Sequence, residues 1–266
     1  MKKIISISAL FLLLLTSCEK VININLNETD PEIIIEAIIT DIPGGTQTVK
    51  LTKSVNFDDS NIVPNVSGAT VSITDELGNS FLLTETQPGL YTTNQFQGFP
   101  EQIYFLMVSV DGKTFTSQCR MPEKVNCQAL EFQNAIVPGQ IEPNYFVIPK
   151  FNDPTGKGNY YRFRIQNLTT GKSSSNIMLI SDDIADGGVN SAPIVDQQLT
   201  IKSGDSISVE MMCIDKTVYD YFFSLSQNGN GPNASATPAN PITNIQGAKL
   251  GYFSANTSQK IQIIVP

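Results

Sequence analysis

The side chain with the most definite chemistry is the thiol of Cys18. It closes the tetrapeptide Leu15-Thr16-Ser17-Cys18, which follows Lys2, Lys3 and an apolar run from Ile4 to Leu15. That run is shorter than the roughly 20 residues a membrane-spanning helix needs and has the length of a signal-peptide core. A leucine three places before a cysteine, with small residues between them, forms a lipobox: the thiol is acylated and the chain is then cut, so that Cys18 becomes the first residue. A diacylglycerol and an amide-linked chain bury far more methylenes than one myristoyl group, and at about 0.8 kcal/mol each they make the attachment permanent. The sequence therefore predicts a lipoprotein signal peptide over residues 1–17, a lipidated tether over 18–30, and a membrane anchor at Cys18.

Other chemistry is limited by what the chain lacks. It has no histidine, which removes Ser-His-Asp and Cys-His nucleophile activation and the commonest zinc, copper and haem ligand. No G-x-S-x-G elbow, P-loop or dinucleotide fingerprint is present. Asp182, Asp183 and Asp186 precede Gly187 and Gly188, but a calcium loop counted from Asp182 would put Ile184 at its third position and Pro193 at its twelfth, where oxygen ligands are needed. This stretch reads as a solvated acidic turn, and Asn152-Asp153-Pro154-Thr155-Gly156 as another. A pair of acids working as in a glycosidase is defined by separation in space, so sequence alone leaves that arrangement open. No metal or other cofactor is expected, and the chain is read as a non-enzyme.

Cys119, Cys127 and Cys213 remain after lipidation, and in an oxidising envelope at least one of three thiols stays unpaired. A disulfide between Cys119 and Cys127 would staple residues 120–126; separate buried thiols are the alternative. Removing residues 1–17 takes away two lysines and no acid, so the net charge of −8 becomes −10. Nucleic acid and anionic membrane surfaces are poor partners for such a chain.

The elements that must position these residues are strands. Ile33 to Ile39 is a β-branched run bounded by Pro31 and by Pro43-Gly44-Gly45, the pattern of a buried strand. Thr48 to Thr52, Ala69 to Thr74, Phe81 to Thr84, Gly89 to Tyr91, Ile103 to Val110 and Thr114 to Gln118 follow, with Asp111-Gly112 as a type I′ turn. Seven short strands at this spacing predict an immunoglobulin-like β-sandwich over residues 31–122. Eight more are expected over 127–266, at Gln128 to Gln133, Tyr145 to Phe151, Tyr160 to Asn167, Asn176 to Ser181, Gln197 to Ile201, Ser206 to Ile214, Ala248 to Ala255 and Gln259 to Val265. They would form a second antiparallel sandwich or a flattened barrel, in an all-β protein. One helix near 216–226, capped by Asp215, carries Val218, Phe222 and Leu225 on one stripe with Tyr219 and Phe223 beside it. Phe222 is expected in the core; the competing reading makes Tyr219, Phe222 and Phe223 ligand-facing. Gln227 to Asn240, rich in Gly, Pro and small polar residues, reads as a mobile loop.

Several phrases in order resemble the domain-of-unknown-function 4249 family of Bacteroidota envelope lipoproteins. They are the lipobox with its alternating tether, Val66-Ser67-Gly68-Ala69-Thr70-Val71 with Gly89-Leu90-Tyr91, and Tyr104 to Thr116 around Asp111-Gly112. Phe151-Asn152-Asp153-Pro154, Asn159-Tyr160-Tyr161-Arg162, Asp182-Asp183 and Asp186-Gly187 continue the series, which closes on Asn240 to Ile245 and Gly251-Tyr252-Phe253. The resemblance implies an outer-membrane-anchored lipoprotein made alongside a TonB-dependent transporter, a binding or accessory partner with no activity to carry over. An envelope hydrolase using carboxylates or serine, and a purely structural or adhesion module, are the alternatives. Members carried to the cell surface have a run of acids just after the cysteine. Here Glu19 is followed by Lys20, Val21 and Ile22, and the sequence does not choose between the periplasmic and extracellular faces.

Overall fold

A computed structural model describes residues 30–55, 62–135, 144–183, 186–196, 198–228 and 239–266. The signal peptide, Cys18 and the tether up to residue 29 lie outside the described residues, as do 229–238 of the loop expected from Gln227 to Asn240.

The first seven strands are β1 (Ile33–Thr40), β2 (Gln47–Lys53), β3 (Thr70–Asp75), β4 (Ser80–Gln87), β5 (Leu90–Thr93), β6 (Ile103–Val110) and β7 (Lys113–Arg120). After a linker come β8 (Cys127–Ala135), β9 (Asn144–Asp153), β10 (Tyr160–Asn167), β11 (Lys172–Ser173), β12 (Met178–Ser181), β13 (Gly188–Val189), β14 (Ser206–Ile214), helix α1 (Lys216–Gln227) and β15 (Leu250–Ile264). The main sheet runs β11-β10-β14-β15-β1-β2-β5-β4-β3-β6-β7 with β12 also on β10, and β13-β9-β8 form a smaller sheet. The protein is an all-β sandwich. Both strand paths have free ends, so the flattened-barrel alternative does not hold.

β1 is central because its side chains can be buried on both faces. Ile35, Ala37 and Ile39 are fully buried and the residues between them are half-buried, the near-continuous apolar run of an interior strand. Its two neighbours are antiparallel β2 and parallel β15. The Asp111-Gly112 turn between β6 and β7 has φ of 51° and 70°, as a type I′ turn requires.

The two strands expected at Ala248 to Ala255 and Gln259 to Val265 are one. The first half of β15 lies parallel to β1, from Leu250 opposite Ile34 to Asn256 opposite Thr40. Its second half lies antiparallel to β14, from Thr257 opposite Cys213 to Ile264 opposite Ser206. The expected boundary between 122 and 127 thus divides strands in sequence, while the sheet continues across it. Buried Asp41 holds the changeover: one oxygen accepts from the Ser258 N–H at 2.7 Å and the other from Lys124 Nζ at 2.7 Å. The segment expected as a strand at Gln197 to Ile201 is no ladder strand. Asn144 takes its backbone instead, Oδ1 accepting from the Ile201 N–H at 2.6 Å and Nδ2 donating to the Leu199 carbonyl at 3.2 Å.

Two apolar cores result, one on each face of β10 and β14. Tyr160, Met212 and Ile214 face the first, with α1 and the sandwich of β1 to β7. Tyr161, Phe163, Val209, Met211 and Cys213 face the second, closed by β8 and β9. This geometry decides the cysteines. Of the two readings, a Cys119–Cys127 staple or separate buried thiols, the second describes the structure: Cys119 belongs to the first core and Cys127 to the second, and all three described cysteines are buried free thiols. Cys119 Sγ accepts from the Ala255 N–H at 3.2 Å, and burial pushes its thiol up to about 12. Burial also raises the Cys127 and Cys213 thiols. A thiol reagent such as Ellman's should titrate none of these three in the folded protein and all three after unfolding; a Cys119–Cys127 bridge would leave one.

Helix α1 is capped as expected, the Asp215 side chain accepting from the Thr217 N–H at 2.8 Å. Val218, Tyr221 and Phe222 are its buried face. Phe222 lies 4.7 Å from the Tyr252 ring, with the Arg162 guanidinium 3.6 Å over its other side. It cannot face a ligand. Tyr219 stacks on Tyr160 at 4.8 Å, and Phe223, 49% exposed, lies 5.8 Å from Tyr219. Phe222→Ala should cost about 3 to 5 kcal/mol, the range for deleting a buried ring. An unchanged melting transition would instead place the ring outside the core.

Candidate functional site

The two turns noted in the sequence meet at one end of the second core. β9 ends at Asp153, whose chain turns through Pro154 to Gly158 before β10; β12 ends at Ser181, and Asp182 to Gly187 lead into β13. The strand pair Gly188↔Asp153 and Val189↔Asn152 draws the second turn onto the first. One carboxylate oxygen each from Asp153, Asp182 and Asp186 then lies within 4.8 Å of the others. Beside them is a cavity of about 240 Å³, floored by Phe151 and Tyr161, whose rings are 4.6 Å apart, and walled by residues 187–192.

Each carboxylate is tied to the opposite turn. Asp153 accepts from the Tyr161 hydroxyl through one oxygen and from the Gly187 N–H at 3.1 Å through the other. Asp182, only 2% exposed, accepts from the Gly158 N–H at 2.9 Å, the Asn159 N–H at 3.0 Å and Asn159 Nδ2 at 3.2 Å. Asp186, which is exposed, accepts from the Gly156 N–H at 2.7 Å. The mutual repulsion of three acids is offset by backbone donors, the same groups that would otherwise be orphaned in turns. Burial, then the bond to Asp153, push the Tyr161 phenol upward, so it stays a proton donor at neutral pH.

The cluster can chemically do one of two things. As a cation site it brings together one oxygen from each of three acids, so that backbone carbonyls, second carboxylate oxygens or water would have to complete the six to eight ligands a calcium ion takes. As a catalytic pair, Asp153 and Asp182 keep acceptor lone pairs beyond these hydrogen bonds, but the bonds fix both carboxylates to the turns they join.

A family model, a domain of unknown function (DUF4249), matches residues 19–262. The chain belongs to the DUF4249 family. No curated protein matches it. Within this DUF4249 chain the phrases Phe151 to Pro154, Asn159 to Arg162, Asp182-Asp183 and Asp186-Gly187, scattered over 37 positions of sequence, converge on the acid cluster. Asn244 and Gly251-Tyr252-Phe253 converge elsewhere, on β15: Asn244 Nδ2 donates to the Phe253 carbonyl at 2.8 Å while its Oδ1 accepts from the Phe253 N–H at 2.9 Å.

Sequence reasoning named Asp153 and Asp182 as turn residues and missed Tyr161 as the partner of Asp153. Two adjacent tyrosines on an alternating strand face opposite sides, Tyr160 the first core and Tyr161 the second. What Tyr161 pointed at depended on a contact between turns. Cys18 lies outside the described residues; Tyr219 is half-buried against Tyr160 and Phe223 is exposed beside it, and neither lines the cavity at the acid cluster.

Proposed function

We propose that the protein is an outer-membrane-anchored lipoprotein acting as a non-enzymatic binding or accessory partner of a TonB-dependent transporter. The observation that carries the reading is the lipobox at Leu15 to Cys18 behind Lys2, Lys3 and the apolar run. The fourteen residues 19–32 between Cys18 and β1 span at most about 50 Å when fully extended, so a body anchored there works close to the bilayer. The tied-down acid cluster supports binding over turnover, because its carboxylates serve the fold.

A hydrolase using these carboxylates is the second reading, favoured by one observation: three acids and a tyrosine meet beside a concave cavity. It stays second because these carboxylates already tie the two turns together through hydrogen bonds.

The reading is tested by separating inner and outer membranes on a density gradient and probing intact cells with protease. The protein should band with the outer membrane, and the protease result assigns its face. Recovery in the soluble periplasm, or in the inner membrane alone, would overturn the proposal.

A further inference from the structure

The outer face of the first sheet carries a shallow groove of about 480 Å³. Two complete rungs cross it. Ser80, Thr74, Phe105 and Gln118 lie side by side on β4, β3, β6 and β7. Leu82, Ser72, Met107 and Thr116 form the next, extended by Gln246, which pairs with Thr116.

None of these residues is charged, although the chain has 17 basic and 25 acidic residues. A solvent-facing sheet surface ordinarily alternates with polar, often charged, side chains that keep it soluble and unpaired. Phe105 and Met107 are instead 41% and 42% exposed at the centre. Arg120, two positions beyond Gln118 on β7, is paired with Glu101 at 2.5 Å. Apart from Leu82 at the β4 edge, the residues of the two rungs around Phe105 and Met107 are hydroxyls and carboxamides, which offer both a donor and an acceptor. Asn244 and Gln246 wall one side, and Ser117 Oγ donating to the Asn244 carbonyl at 2.7 Å fixes that wall to β7.

From this lining we propose that the groove binds a neutral, hydroxyl-rich ligand, a glycan, with the Phe105 ring under the apolar face of a sugar and Ser, Thr and Gln side chains on its hydroxyls. An ion would find no countercharge, and a wholly apolar ligand would leave the hydroxyls and amides unpaired. The volume is that of an ordinary small-ligand site. The proposal rests on the binding role proposed above.

The test uses the full chain in a zwitterionic detergent without a sugar headgroup, run in native gels containing dextran, xylan, β-glucan or, as a charged control, polygalacturonate. At least one neutral polysaccharide should retard the protein, and Phe105→Ala should weaken that retardation about tenfold, the size of a lost aromatic contact. Thr116→Glu, which puts a charge in the groove, should abolish it. Both side chains are exposed, so the variants should melt like the parent. Retardation by no neutral polysaccharide overturns the proposal, as does retardation that Phe105→Ala leaves unchanged. Loss of a co-purifying membrane protein in Phe105→Ala, without any glycan retardation, would make this face a protein contact. None of these results bears on the anchor or its membrane, which the gradient tests separately.

Discussion

Cys18→Ser should yield a protein that takes up no fatty-acid label and keeps its residues 1–17. On the proposed lipobox the thiol would form the thioether that precedes cleavage, and a serine hydroxyl in its place would stop the sequence of reactions at the first bond. Lys2, Lys3 and the apolar run remain, so the variant is still exported by its uncut signal peptide and runs larger on a gel. The effect is all or none. Metabolic labelling with an alkynyl fatty acid, followed by immunoprecipitation, reads it directly. A serine variant that still carried label, or was cut at the same place, would remove the anchor on which the proposed function stands.

Gly251→Ala should unfold the changeover strand. Gly251 sits opposite Ile35 in the parallel ladder between β15 and β1, with φ of 106°, a conformation that residues with a Cβ rarely adopt. A Cβ there would lie 2.1 Å from the Ile35 carbonyl oxygen and 2.6 Å from its amide nitrogen. Neither is the end of a side chain that can swing aside; both are backbone atoms of the central strand β1. Relief requires parting β15 from β1, which also pulls Phe253 and Ala255 from the first core and Tyr252 from its packing on Phe222. We expect a loss above roughly 4 kcal/mol, at the extreme for a single substitution. Since domains of this kind are stable by about 5 to 15 kcal/mol, the urea midpoint should fall steeply and both cores should melt together, because β15 serves both. Separate transitions, with the second core unaffected, would contradict the shared strand.

That strand also marks where sequence reasoning stopped. β1 was legible because a central strand reads as a β-branched, near-continuous apolar run, interrupted here only by Glu36, and the β6–β7 hairpin because Asp111-Gly112 admits one turn type. Tyr160 to Asn167 and Ser206 to Ile214 were legible end to end, each alternating its side chains between two cores. β15 was not. Its middle, Asn256-Thr257-Ser258, is polar and invites a break, yet these residues are buried as the strand changes partner. Asn256 accepts from the Ser254 hydroxyl, and Ser258 donates to Glu210 and Asp41, both far away in sequence. The acid cluster shows the same limit. Each turn was readable from Asp, Pro and Gly, but Asp153 and Gly187 are 34 residues apart, and nothing local says that one turn caps the other. Cys119 and Cys127 illustrate it at short range: eight positions apart, they face opposite cores.

The most direct test of the account is isolation of the protein from native membranes in mild detergent, with an affinity tag at its C-terminus, and identification of what comes with it. We predict that a TonB-dependent transporter barrel co-purifies in fixed ratio with the acylated protein, and that it is lost with Cys18→Ser. Acylated protein recovered from the outer membrane with no transporter, across detergents that keep other outer-membrane complexes intact, would contradict the account.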